Sequence, residues 1–241
     1  MPVVSLRGGA VLAVAALLLA GCEAADGPRP GPSAPPAVAT PSATANAEQE
    51  LLAQARTTLQ EARSYVFDGS RTLGGSTAEG HFRTVNGRTA GTFTLRGRPT
   101  KFMVLDDGPY LLPSDGFWEI LVGPDHVAAV KRKAAGRWVR MGANERMIRR
   151  FFDVPMLLAD LRPAGALTRG RISGKGADTW IGLTTSADPK WWAGIATTDK
   201  PYPRSWTTAT SEAEITELGS DLPPIEPPAR TAVVPLEELL V

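Results

Sequence analysis

The 241-residue chain holds one cysteine, Cys22, and two histidines, His81 and His126. Their number and spacing bound the available chemistry. A structural zinc site takes about four Cys or His ligands, which these three residues cannot supply, so no metal and no cofactor is expected. Gly170-Arg171-Ile172-Ser173-Gly174-Lys175-Gly176 looks superficially like a phosphate loop. Its spacing is wrong, and neither Ser nor Thr follows Lys175. It also fails as a G-x-S-x-G nucleophile turn, because Ser173 stands fourth rather than third. A turn or loop is expected there, and both histidines are read as surface or strand residues. The chain is therefore read as non-enzymatic. The chemistry left is that of the Cys22 thiol, which can accept a diacylglyceryl group as a thioether. Leu19-Ala20-Gly21 precedes it, an aliphatic residue and then two small ones.

The residues ahead of Cys22 fit that reaction. A short segment ends in Arg7, and an apolar run follows from Ala10 to Ala20. That run is too short to cross about 30 Å of hydrocarbon, which takes about 20 residues, and matches the apolar region of a signal peptide. One arginine and no Arg-Arg pair argue against a twin-arginine signal. Leu19-Ala20-Gly21-Cys22 thus resembles the lipobox of bacterial lipoproteins. On this reading residues 1–21 are a signal peptide and Cys22 becomes the lipidated first residue of the mature protein. Several acyl chains, palmitate among them, at about 0.8 kcal/mol per buried CH₂, anchor stably where one chain is marginal. The expected location is the cell membrane, lipid-anchored, on its extracytoplasmic face.

Removal of residues 1–21 leaves 25 basic and 25 acidic side chains. A near-neutral exported domain has no global field to recruit nucleic acid, so no such partner is expected. With no second cysteine, the domain folds without disulfides. Residues 22–46 hold the cysteine and a stretch of Pro, Ala, Ser, Thr and Gly. That composition buries too little to offset ordering entropy. It is expected to be a tether, spanning roughly 25–30 Å as a coil and about 70 Å when extended.

Residues 47–241 are expected to form the folded domain. Asn46 and Gln49 stand at capping-box spacing. Leu52, Ala55, Leu59 and Ala62 then recur every three to four residues, which predicts an amphipathic helix over 47–63. Five short strands follow: 64–71, 79–85, 90–96, 100–105 and 110–112. Gly74-Gly75-Ser76, Asn86-Gly87, Gly97-Arg98-Pro99 and Asp107-Gly108 are the expected turns between them. Asn-Gly is the signature of a type I′ hairpin. Helical segments are expected at 116–121, 125–135, 144–152 and 153–161, interrupted by a strand at 137–141. Four more strands are read at 177–185, 191–199, 204–211 and 214–218. The proline-rich stretch 222–228 reads as an extended edge segment that no central strand can accommodate, and 235–241 as a short terminal helix.

Three places in this order resemble the LppX/LprG lipoproteins, whose wider relatives include the LolA carriers and the sensor RseB. One is the helix leading into Ser64-Tyr65-Val66-Phe67-Asp68-Gly69. Another is Gly136-Arg137-Trp138-Val139 with apolar helices up to Leu161. The last is Tyr202-Pro203-Arg204 entering a β-run, then Ser220-Asp221-Leu222-Pro223-Pro224-Ile225-Glu226-Pro227-Pro228. The likeness covers roughly residues 47–240. It implies an α+β fold, a strongly curved antiparallel sheet or half-barrel with helices covering its concave face. It further implies an apolar cavity for acyl chains, with the lipid headgroup left in water. The alternative within the same resemblance is an RseB-like sensor or scaffold that binds a protein partner.

The candidate cavity residues are Phe93, Leu95, Phe102, Val104, Leu112, Trp118, Trp138, Met156, Leu157 and Leu161. The same residues fit a filled core equally well. Lys131, Arg132, Lys133, Arg137, Arg140, Arg146, Arg149 and Arg150 are crowded into 20 residues, opposed there only by Glu145. Arg146, Arg149 and Arg150 are the candidate membrane-surface patch, each basic group near anionic headgroups contributing about 1 kcal/mol. A solvated helix face is the plainer reading of the same run.

Overall fold

The computed structural model describes residues 43–142 and 154–241. Cys22, the signal peptide, most of the tether, the helix expected over 144–152, and Arg146, Arg149 and Arg150 lie outside the described residues.

Helix α1, Ala43–Glu61, starts inside the stretch expected to be tether. Leu52, Ala55 and Leu59 form its buried stripe. A β-meander follows: β1 Ser64–Leu73, β2 Ser76–Val85, β3 Arg88–Leu95, β4 Arg98–Leu105 and β5 Gly108–Pro113. Asn86 and Gly87 take positive φ of 49° and 79°, as a type I′ turn requires. The next turn is shifted by one residue from expectation. Arg96-Gly97 makes it, with Leu95 facing Arg98, so Arg98 and Pro99 belong to β4. Two residues close this hairpin with a twist that suits the strands, whereas a three-residue loop would need a bulge.

Helix α2 spans Phe117–Val122, a 3₁₀ turn Pro124–His126, and helix α3 Val127–Ala134. Ala135 and Gly136 end α3 in the left-handed region. Arg137 donates to the Lys133 and Ala134 carbonyls there, so that member of the basic run caps a helix C-terminus. Lys131 pairs with Asp115 at 2.7 Å. After β6, Trp138–Arg140, comes α4, Val154–Asp160.

The remaining strands are β7 Leu167–Ser173, β8 Trp180–Thr185, β9 Trp192–Ala196, β10 Pro203–Thr207, β11 Ser211–Thr216 and β12 Val233–Pro235, before α5, Leu236–Leu239. β7 occupies much of the stretch expected to be a loop. Only its first residue is buried. An edge strand needs no apolar face, and charged residues such as Arg169 and Arg171 discourage further pairing. That is why periodicity missed it. Residues 176–178 form a 3₁₀ turn rather than the start of β8. The proline-rich segment 222–228 pairs with no strand. It crosses the outer face of the sheet, where Ile225 is buried and the Pro224 and Ile225 carbonyls accept from Arg83 and Arg88 at 3.3 Å.

All twelve described strands form one sheet in the order β12-β6-β5-β4-β3-β2-β1-β11-β10-β9-β8-β7. Every pairing is antiparallel except β12 on β6. The first strand is thus central: one meander runs outward from β1, and the other returns from the far edge to dock β11 on β1. A flat sheet of that size would be about 50 Å wide at 4.7–4.9 Å per strand. Yet Val234 at one end and Leu167 at the other share a single core cluster, and α1 touches both β7 and β10. The sheet is therefore curled around its core. The chain between β6 and β7 links opposite regions of this sheet and carries α4 onto α1. The architecture is α+β, a curled and mostly antiparallel sheet with helices packed into its core.

Candidate functional site

The concave face follows from strand alternation. On β1 it shows Tyr65, Phe67, Gly69 and Arg71, and their β2 partners are Thr84, Phe82, Gly80 and Ala78. β11 places Ile215, Ala213 and Ser211 opposite Phe67, Gly69 and Arg71, and Trp206 of β10 faces Ala213. A chain of rings crosses this surface. Trp206 lies 6.4 Å from Phe67, and Phe67 stacks on Phe82 at 4.5 Å and 19°. Phe82 meets Phe102 edge-on at 5.8 Å, Phe102 meets Phe93 at 5.7 Å, and Phe93 meets Phe117 of α2 at 5.3 Å. These are the offset and edge-to-face geometries that the ring quadrupole favours.

Helices cover that wall. α1 supplies Leu52, Ala55 and Leu59, α2 Phe117 and Trp118, α3 Val130 and Ala134, and α4 Leu157 and Leu158. A small pocket lies where α4 crosses β1, β2, β10 and β11. Phe67, Gly69, Ala213, Leu157 and Trp206 line it, with Arg71 and Asp160 at its polar end, and its volume is about 20 Å³. That holds about one water.

Arg71 and Asp160 form an ion pair with side chains 13% and 12% exposed. Arg71 also donates to the Met156 carbonyl at 3.4 Å. The Trp191 indole N–H donates to the Asp160 carbonyl at 2.8 Å. Sheet and α4 are thus tied through polar groups at one end of an apolar face. The Trp206 indole N–H is buried without a hydrogen-bond partner among the described residues. Arg71, Asp160 and Trp206 escaped sequence reasoning, because nothing local marks a contact between residues 89 positions apart.

The sequence candidates divide over this geometry. Phe93, Phe102, Val104, Trp118, Leu157 and Leu161 are buried in the main cluster, and Leu95 packs against it. Trp138 packs instead in a small cluster on the outer face, with Val85, Leu105, Tyr110 and Ile225. Leu112 shares the Tyr110 side of β5 by alternation and is half-buried; Met156 is half-buried on α4. Tyr110 donates to Asp107 at 2.5 Å. Burial first, and then this hydrogen bond, push its phenol up to about 12, so it stays a donor at all ordinary pH.

The outer face carries a wider, polar groove of about 650 Å³, lined by Trp180, Trp192, Arg204, Asp68, Glu212 and Glu214 among others. Trp180 and Trp192 meet edge-on at 5.3 Å over Gly182 and Gly194. His81 stands in β2 beside Asp68 at 2.6 Å, and His126 is exposed in the 3₁₀ turn. Among the described residues no three His, Cys, Asp or Glu side chains gather as a metal site. No described helix is long and apolar enough to cross a membrane.

No family model and no curated protein matches the chain. Solved structures do. LprF from Mycobacterium bovis superposes with a TM-score of 0.50 at 12% identity, over 78% of this chain and 99% of that one. The Mycobacterium tuberculosis lipoprotein LppX gives a TM-score of 0.44 at 12% identity, over 73% and 98%. An uncharacterized conserved protein from Thermus thermophilus gives 0.32 at 9% identity, over 78% and 99%. The resemblance read from the sequence therefore holds as a likeness of fold, and the chain has the curled-sheet architecture of LprF.

Proposed function

We propose that this chain is an extracytoplasmic lipoprotein, held at the membrane by acyl chains on Cys22, whose domain binds the acyl chains of a lipid on its concave face. One observation supports this most. The wall of rings from Trp206 to Phe117 is covered by separate helices, and α4 is only seven residues long. A helix that short has little stability of its own. Its displacement would expose Phe67, Trp206 and the side-chain-poor Gly69–Gly80–Ala213 patch. Lipid would then replace α4 as the apolar cover. Arg146, Arg149 and Arg150 would meet anionic headgroups while the tether lets the domain reach the bilayer.

The test is mass spectrometry of ligands extracted from the natively purified chain, with uptake of a fluorescent acyl probe. Co-purified lipid and saturable uptake are expected; absence of both would refute the reading. Cys22→Ala is expected to move the protein from the membrane to the soluble fraction. The residual affinity of that variant for anionic vesicles should fall about 100-fold, at about 1 kcal/mol per basic group, when Arg146, Arg149 and Arg150 become alanine. Full membrane retention of Cys22→Ala would contradict the anchor, and unchanged vesicle binding the patch.

A second reading is favoured by the sizes of the recesses. The concave pocket is about 20 Å³ and the outer groove about 650 Å³. A sensor or scaffold would use the outer face, with its two tryptophans and carboxylates, to bind a protein. A stable crosslinked protein complex without bound lipid would support that role instead.

A further inference from the structure

Arg71 sits where an arginine is least expected. It continues a row of Tyr65, Phe67 and Gly69 on the concave face, beside Leu157 and Trp206. A guanidinium that has left water needs a full set of acceptors. Arg71 has the Asp160 carboxylate and the Met156 carbonyl, both on α4. Trp206 lines the same pocket, and its buried indole N–H has no acceptor among the described residues, although buried N–H groups are nearly always paired. An apolar recess therefore ends in a guanidinium held by a single carboxylate, that of Asp160.

We infer that Arg71 is the binding residue for the anionic head of an acyl ligand, and that Asp160 holds its place in the ligand-free protein. The inference rests on the reading that the concave face takes acyl chains. The guanidinium fork matches a carboxylate or a phosphate equally, through two parallel N–H donors, so the chemistry shared by fatty acids and acidic phospholipids is what the site recognises. Exchange leaves Arg71 paired at every stage: the ligand's anion takes the place of Asp160, and Asp160 passes to water, where a carboxylate is well solvated. The same exchange cuts the tie between β1 and α4, so binding the head uncovers the wall for the chain. A neutral amphiphile offers Arg71 nothing in return for Asp160 and leaves α4 in place. Selection for anionic ligands and opening of the site are then one event.

The measurement uses the full mature chain with a pyrene-labelled fatty acid and its methyl ester. The acid is expected to bind at least about tenfold more tightly than the ester, a difference typical of one charge-assisted contact. Arg71→Met should bring the two affinities together, and Asp160→Asn should tighten binding of the acid by removing its internal competitor. Because Arg71→Met leaves Asp160 without its partner, Arg71→Met with Asp160→Leu serves as the second variant; apolar replacement of both members of a buried pair is generally tolerated. Displacement by phosphatidic acid as well as by fatty acid extends the site to phosphate heads, and displacement by fatty acid alone restricts it to carboxylates; both support Arg71. An acid preference that survives in both Arg71 variants overturns the inference while acyl binding stands. Failure of wild type to bind either probe overturns both.

Discussion

Gly91→Val is expected to remove at least about 3 kcal/mol of stability, the upper range for overpacking. Local propensity points the other way, since valine is a better strand former than glycine by up to about 1 kcal/mol. The tertiary structure decides the contest. A Cβ on Gly91 would lie 2.2 Å from the His81 carbonyl oxygen, and 2.5 and 2.6 Å from the Phe82 Cβ and Cα. Two of those three atoms are backbone of the paired strand β2, so no rotamer change relieves the contact. Gly69 is in the same situation against β11, with the Glu212 carbonyl oxygen at 2.4 Å. Glycine lets neighbouring strands pinch together where a sheet curls tightly. In urea the midpoint should fall by more than about 1 M. Thr92→Val, one residue along the strand on the exposed face, should change stability by no more than about 0.5 kcal/mol. A Gly91→Val variant as stable as wild type would mean that β2 and β3 are not pressed together here.

Phe82→Ala should cost about 3–5 kcal/mol, the range for a buried aromatic truncated to alanine. The side chain is 1% exposed and touches Phe67 face-on and Phe102 edge-on, so ring contacts are lost along with its buried area. Each such pair adds about 0.5–1.5 kcal/mol beyond area alone. Its neighbours belong to strands held by ladder hydrogen bonds, which limits collapse into the void. Phe82→Leu keeps most of the volume and should cost less than half as much in the same thermal or urea experiment. Equal losses for Ala and Leu would assign the stability to the ring contacts rather than to packing volume. The two glycines set the curvature of the wall and the rings fill it. Both therefore bear on whether a ligand chain could be admitted by moving α4, since the wall itself has no slack.

Much of the local structure was legible in the sequence. The 3–4 residue recurrence of Leu52, Ala55 and Leu59 located α1, and Asn86-Gly87 located a hairpin whose positive φ values the fold confirms. The first meander was legible because turn residues interrupt period-two runs, a signal carried within about ten residues. β7 was illegible because an edge strand with a single buried residue has no period to read. Trp138 shows the limit for site residues. Its apolar character was plain, but whether it faces the core or the outer cluster depends on how β6 registers on β5, with Tyr110 opposite Arg140 and Leu111 opposite Val139.

What could be read along the chain is what short-range chemistry encodes. That comprises a lone cysteine behind a lipobox-like stretch, a proline-rich lead-in, the order of helices and hairpins, and a resemblance sufficient to name the fold. Folding settled which strand is central, where the sheet bends, and which apolar residues share a face. It also brought Arg71 and Asp160 together as the polar end of an apolar recess. The difference is one of range. Propensity, periodicity and turn geometry act over a few bonds, whereas strand pairing and a buried ion pair are settled by contacts between segments far apart in the chain, whose partners no local pattern names.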